Sequence, residues 1–164
     1  MTLAEAAAQA DALAEEGKER ELAQLRAEWD ELLESSARGG DFRDRAIAYR
    51  AIGQFRFRTK KELLRRGLED DSPAVRGSAL LALEKLSRAH PGDVNDVRSL
   101  LHELVTNDGN EAVRRLAVVA LKNGSGRPDT IQILSSLGQD EDQPRELREA
   151  ATKVAQLLRR KIVK

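Results

Sequence analysis

The chain has 164 residues and no net formal charge, with 28 basic and 28 acidic side chains. Only 3% of residues are aromatic and 34% are charged, so a core must be built from Ala, Leu, Val and Ile by close helix–helix packing. Cys is absent, which excludes a disulfide scaffold, a thiolate metal site and a Cys nucleophile, and two His are too few for a His-rich zinc site.

Residues 1–18 put Leu3, Ala6, Ala7, Ala10, Leu13 and Ala14 on one helical stripe, and Thr2 with Glu5 has capping-box spacing. Gly17 breaks or bends this helix. The segment is acidic and lacks the basic flank of a signal or transit peptide. No apolar run approaches the ~20 residues of a membrane span, so a soluble, cytoplasmic chain with no membrane contact is expected. The helix reads either as a cap on the array that follows or as a docking helix for a partner or a second copy.

From residue 19 the pattern is helix, short polar turn, helix. In 19–56, Leu25, Trp29, Leu32 and Leu33 lead to Gly39-Gly40-Asp41 and then to a helix opened by Phe42-Arg43. Trp29, on the apolar stripe, is a core residue or an interface anchor. Leu22, Leu25, Trp29, Leu32 and Leu33 either bury within the chain or seam two copies, so monomer and homodimer both stand.

In 57–89, Thr59 and Glu62 again have capping-box spacing, Leu63, Leu64 and Leu68 form the first stripe, and Ser72-Pro73 starts the second helix. In 93–124, Val97, Leu100, Leu101 and Leu104 precede Asn107-Asp108-Gly109-Asn110. In 127–164, Ile131, Ile133, Leu134 and Leu137 precede the turn from Gln139 to Pro144. His90, beside Pro91-Gly92, is expected in a loop, and His102 on a helix has no carboxylate partner assigned by sequence. Gly124-Ser125-Gly126 reads as a turn, and Asp140-Glu141-Asp142 lacks calcium-loop spacing and reads as a solvated acidic turn.

The second helices repeat one another. Val75-Arg76 is followed by Ala79 and Ala82-Leu83, Val113-Arg114 by Ala117 and Ala120-Leu121, and Leu147-Arg148 by Ala151 and Val154-Ala155. A weaker copy runs Phe42-Arg43, Ala46, Tyr49. The motif Asp71-Ser-Pro-Ala-Val75-Arg76 with Ala79 and Ala82-Leu83 resembles a HEAT repeat, nearest the compact prokaryotic form found in phycobiliprotein-lyase-type proteins. That resemblance, spanning about residues 19–161, implies an all-α fold, a right-handed α-solenoid of about four hairpins with an N-terminal capping helix. It also implies an inter-repeat ladder of Asp71 with Arg76, Asp108 with Arg114 and Asp142 with Arg148. Repeat one departs from the spacing, with Asp41 only two residues before Arg43.

Charge is segregated. Residues 1–41 carry 11 acidic and 4 basic side chains, a net of −7, whereas residues 42–68 carry 2 and 9, a net of +7. Arg56, Arg58, Lys60, Lys61, Arg65 and Arg66 cluster with Phe55 and Phe57 interleaved. They bind nucleic acid or an acidic protein, or they lie on a solvated helix face or beside the chain's own acidic helices while Phe55 and Phe57 pack between repeats. Arg43, Arg45, Arg50, Arg76, Arg114, Arg115, Arg145 and Arg148 give the second-helix faces a mildly positive character.

The pattern contains no catalytic constellation, cofactor motif or metal-ligand spacing. HEAT-like DNA glycosylases use an aromatic-lined cleft and a catalytic carboxylate, and this chain is shorter and aromatic-poor. The leading expectation is therefore a non-enzymatic protein-binding scaffold. The alternative is a sequence-tolerant nucleic-acid binder using 56–66. A lyase or chaperone role on a tetrapyrrole protein follows from the family likeness alone.

Overall fold

The computed structural model describes residues 1–162; Val163 and Lys164, which end the fourth expected repeat, lie outside the described residues. Among the described residues the protein is all-α, with ten helices and no strand, a repeat fold of the α-solenoid class. The chain divides into two compact units, Met1–Leu86 and Ser87–Lys164.

The first unit contains α1 (Leu3–Glu15), α2 (Glu19–Gly39), α3 (Phe42–Gln54), α4 (Lys61–Leu68) and α5 (Pro73–Ser87), whose last residue falls at the boundary. The Thr2 hydroxyl accepts from the Glu5 N–H at 3.2 Å, and the Glu5 carboxylate accepts from the Thr2 N–H at 3.1 Å, closing a capping box on α1. Ala6, Ala7 and Ala10 are fully buried, and their small side chains let α1 lie close on α2 and α3. Gly17, at φ +73°, then reverses the chain into α2 through a conformation other residues resist.

Leu22, Leu33 and Ala37 of α2 are buried, as are Ala48, Tyr49, Ala51 and Ile52 of α3. A Cβ on Gly53 would stand 2.7 Å from the Ala82 Cα, so the backbones of α3 and α5 all but touch there. On α4, a Cβ on Gly67 would meet the buried Tyr49 ring at 2.5 Å. Aromatic bulk at Tyr49 thus packs against the one residue of α4 that yields room for it.

The register of the first repeat differs from the expected one. The buried set of α3 is Ala48, Tyr49, Ala51 and Ile52, while Phe42 is exposed and Ala46 half-buried. The residue equivalent to Arg76, Arg114 and Arg148 is Arg45, because Arg45, Ala48 and Ala51-Ile52 reproduce the spacing of Arg76, Ala79 and Ala82-Leu83. Register follows burial: two arginines stand two residues apart, and only Arg45 sets the Ala pair against the core. A second correction concerns α4. Its N-cap is Lys60, without a side-chain cap, and Thr59 is exposed, so the Thr59–Glu62 capping box is not formed.

The second unit contains α6 (Pro91–Asn95), α7 (Arg98–Asn107), α8 (Glu111–Leu121), α9 (Pro128–Gln139) and α10 (Arg145–Ile162). His90 lies in the expected loop and is exposed, and directly after it Pro91 starts the short α6, which inserts a fully buried Val94. Helices α7 and α8 pair, α9 and α10 pair, and α10 also packs on α8. Leu101, Val113, Ala117, Leu121, Leu134, Leu147 and Ala151 fill the interior. The Asn110 side chain caps α8 by accepting from the Val113 N–H at 3.0 Å.

One turn device recurs. Asp70 accepts from the Ser72 N–H at 2.9 Å, Asp108 from the Asn110 N–H at 2.9 Å and Asp140 from the Asp142 N–H at 3.0 Å. Each is an Asx turn joining the two helices of a hairpin. An arginine of the following helix then donates back to a carbonyl left without a helical partner: Arg45 to Gly40, Arg76 to Asp70, Arg114 to Val105 and Arg148 to Gln143, all at 2.9–3.0 Å.

Candidate interaction surfaces

Two of the six cations in the basic segment, Arg56 and Lys60, turn inward onto the acidic helices. Arg56 sits at φ +59°, a conformation costing a non-glycine residue of the order of 1 kcal/mol, and it aims its guanidinium at α1. There it meets Asp11 at 2.7 Å and Glu15 at 3.2 Å, and it donates to the carbonyls of Gly53 and Gln54. Asp11 also takes Lys85 at 2.9 Å. Burial would raise the Asp11 carboxyl, but Lys85 and Arg56 outweigh it and hold its pKa below the usual carboxylate range.

Lys60, only 8% exposed, reaches Asp30 at 2.5 Å and Glu34 at 2.8 Å on α2. Burial opposes its charge, yet the two carboxylates win and raise its pKa. The Lys60 ammonium also lies 4.8 Å from the centre of the Phe57 ring, which itself stands 5.4 Å from Phe55. Both rings are buried, at 6% and 0% exposure, so neither presents a face on which a base could stack.

Arg58 is half-buried and Lys61 exposed. Arg65 pairs with Glu69 at 3.6 Å along α4, and Arg66 is exposed with no carboxylate partner among the described residues. These two arginines join Arg38, Arg45, Glu62, Glu69, Asp70 and Asp71 around an open cleft of about 600 Å³. Four cations and four carboxylates line it, so the cleft is highly charged without favouring either sign.

Between the first two hairpins a contact outside the expected ladder of Asp71 with Arg76, Asp108 with Arg114 and Asp142 with Arg148 is made by Arg45 and Asp70. Arg45 donates to Asp70 through Nε and Nη2, both at 3.0 Å, in a bidentate fork, and touches the 93% exposed Asp71 at 3.2 Å. Burial raises the Asp70 carboxyl, but Arg45 and the Ser72 N–H overcome it and lower its pKa. Arg114 donates to Gln143 Oε1 at 3.0 Å, one residue past Asp142, whose own side chain is exposed. Arg148 serves its own turn, as does Asp108. Trp29 is half-buried, and its enclosed indole N–H has no hydrogen-bond partner among the described residues.

A polar knot that the sequence did not single out lies in the second unit. Arg98, 4% exposed, donates to Thr130 Oγ1 at 2.7 Å, to the Ser125 carbonyl at 3.2 Å and to the Asn95 side chain. Thr130 in turn contacts His102 Nε2 at 2.8 Å. Burial pushes the His102 pKa down, and the nearby Arg98 and Arg127 push it further against the pull of Asp129. The imidazole is therefore neutral near pH 7, free to accept the Thr130 hydroxyl hydrogen while that oxygen accepts from Arg98. The knot ties α6, α7 and the start of α9 together. Only an apolar-patterned helix interrupted by an arginine hinted at it.

A family model described as Cnd1, non-SMC mitotic condensation complex subunit 1, matches residues 45–164, well over half of the chain. The chain belongs to this family. Cnd1 is a family of HEAT-repeat type, so the match supports the HEAT likeness and not the phycobiliprotein-lyase-type one, and the tetrapyrrole role goes with it. The Cnd1 match starts at Arg45, the residue at which burial places the first repeat's signature, and leaves α1 and α2 outside. No curated protein and no solved structure matches the chain. Among the described residues no helix is long and apolar enough to cross a membrane.

Proposed function

We propose that the protein is a non-enzymatic scaffold that binds another protein through its helical repeats. Membership of the Cnd1 family supports this reading, since that family is named for a subunit of a multi-protein condensation complex. The observation that carries it is the fate of the basic segment. Arg56 and Lys60 pair with Asp11, Glu15, Asp30 and Glu34, and Phe55 and Phe57 are buried, which takes two of the six cations and both rings away from the phosphate contacts and base stacking that nucleic-acid binding by 56–66 would use. The mitotic role in the family's name favours a chromosomal setting over the cytoplasmic one expected from composition.

Tagged protein captured from cells of its source, with and without nuclease treatment, tests this. Retention of the same protein partners after nuclease supports the scaffold. Loss of every partner with the nucleic acid contradicts it.

A further inference from the structure

We propose that the outward face of α3 docks an acidic amphipathic helix of a partner protein; this rests on the scaffold reading above. Phe42, Arg43, Ile47 and Arg50 are all exposed on α3, with Ala46 and Gln54 half-buried among them. At 100° per residue Ala46, Arg50, Arg43, Gln54 and Ile47 fall within one arc of about 100°, opposite the buried Ala48 and Ile52, and Phe42 lies at its edge beside Gly53, where α3 packs on α5. Phe42 is 48% and Ile47 42% exposed, large apolar area for a chain with so few aromatics. Leu81, 43% exposed, lies on α5, which contacts α3 through Gly53 and Ala82.

The charge on this face is of one sign and uncompensated. The Arg43 guanidinium lies over the Phe42 ring, 5.5 Å from its centre, and neither Arg43 nor Arg50 has a carboxylate partner among the described residues. The contrast within the same unit is sharp, since Arg45 and Arg56 are each held by two acidic side chains. The single carboxylate of α3, Asp44, lies outside the arc at the N-terminal turn, where its backbone N–H is taken by Asp41.

Arginine flanking apolar side chains is a composition favoured where proteins meet. The spacing specifies the ligand further. Arg43 and Arg50 are seven residues apart, roughly 10.5 Å along the axis, with Ala46 and Ile47 between them. The matching partner is a helix with two carboxylates seven residues apart and an apolar residue midway, able to lie on Ile47 while each carboxylate reaches one guanidinium.

Selection of helix-biased random peptides displayed on phage against the whole protein tests this, followed by fluorescence anisotropy of the enriched peptides. The expected peptides carry Asp or Glu pairs seven apart around Leu, Ile, Met or Phe. Their affinity falls at least tenfold for R43E/R50E and for F42S, and is regained by R43E/R50E when the peptide's acids become Arg. The double variant changes only exposed side chains, and an unaltered circular-dichroism melt confirms its fold. Enrichment of peptides without that acidic pattern, binding unchanged in R43E/R50E, or no enrichment at all overturns the site. A concentration-dependent dimer lost in R43E/R50E also overturns it, showing that the face takes a second copy. Failure here with nuclease-resistant partners still captured leaves the scaffold reading standing on another surface.

Discussion

Gly53 lies in the last turn of α3, where alanine is ordinarily the better residue by up to about 1 kcal/mol. Here the added methyl would sit 2.7 Å from the Ala82 Cα, 3.2 Å from its Cβ and 3.3 Å from its carbonyl oxygen. Two of these neighbours are backbone of a helix packed on its other side, so relief requires α3 and α5 to separate by about 1 Å to reach ordinary contact distance. Overpacking of that kind costs about 1–3 kcal/mol, and after the propensity gain Gly53→Ala should destabilise by about 1–2 kcal/mol. Gly39, the last residue of α2, has nothing within 4 Å of its notional Cβ, and Gly39→Ala should stabilise by a few tenths of a kcal/mol. Urea unfolding followed by the fluorescence of Trp29, the only Trp and in the same unit, reads both. A midpoint for Gly53→Ala at or above the parent's would refute the close approach of α3 to α5.

Asp11→Asn leaves Arg56 and Lys85 part-buried without their shared carboxylate, and should cost about 1–2 kcal/mol at pH 7, measured by urea unfolding. Asp11, Glu34 and Asp70 all titrate below their ordinary values of 3.8, 4.5 and 3.8 in the folded state. The unfolded chain therefore binds protons first as pH falls, so their contribution is complete above the ordinary carboxylate range and is lost below it; the fall in melting temperature between pH 6 and pH 3 should be shallower in Asp11→Asn. The His102 shift acts in the same direction at higher pH. Its folded pKa lies below 6.5, the unfolded chain takes the proton first, and stability should decline as pH drops from 7 through that value; His102→Gln should flatten the profile between pH 7 and 5. Val113→Asp buries an unpaired carboxylate at a position 2% exposed and should cost several kcal/mol, and a melting temperature near the parent's would contradict the placement of α8.

The hairpins were legible because local signals agree with packing at each. Thr2 and Glu5 form the expected capping box, the polar turns fall between helices, and the Ala-rich signature of α5, α8 and α10 coincides with their buried faces. The register of the first repeat is ambiguous in the sequence because Arg43, Ala46 and Tyr49 imitate the spacing of Arg45, Ala48 and Ala51, and only burial separates them. The Thr59–Glu62 box failed for a long-range reason: Asp30 and Glu34 draw Lys60 against α2, and the chain starts α4 at that point. The two fates of the basic segment, partner-facing or self-paired, were indistinguishable in a linear string. Asp11 and Arg56 are 45 residues apart and meet only once α1 has folded back. Arg98 is invisible in the sequence because a buried arginine held by neutral partners makes no charge pattern.

With Arg56 and Lys60 held by the chain's own acidic helices and Phe55 and Phe57 buried, the segment 56–66 should not bind nucleic acid. Fluorescence anisotropy with labelled single- and double-stranded DNA and RNA at ~50 and ~200 mM salt tests it most directly, because phosphate binding weakens steeply over that range. The account predicts no saturable binding at the lower salt for the parent protein, and the same for a variant carrying Glu at Arg56, Arg58, Lys60 and Lys61. Tight binding to the parent that weakens steeply with salt and disappears in the variant would contradict it.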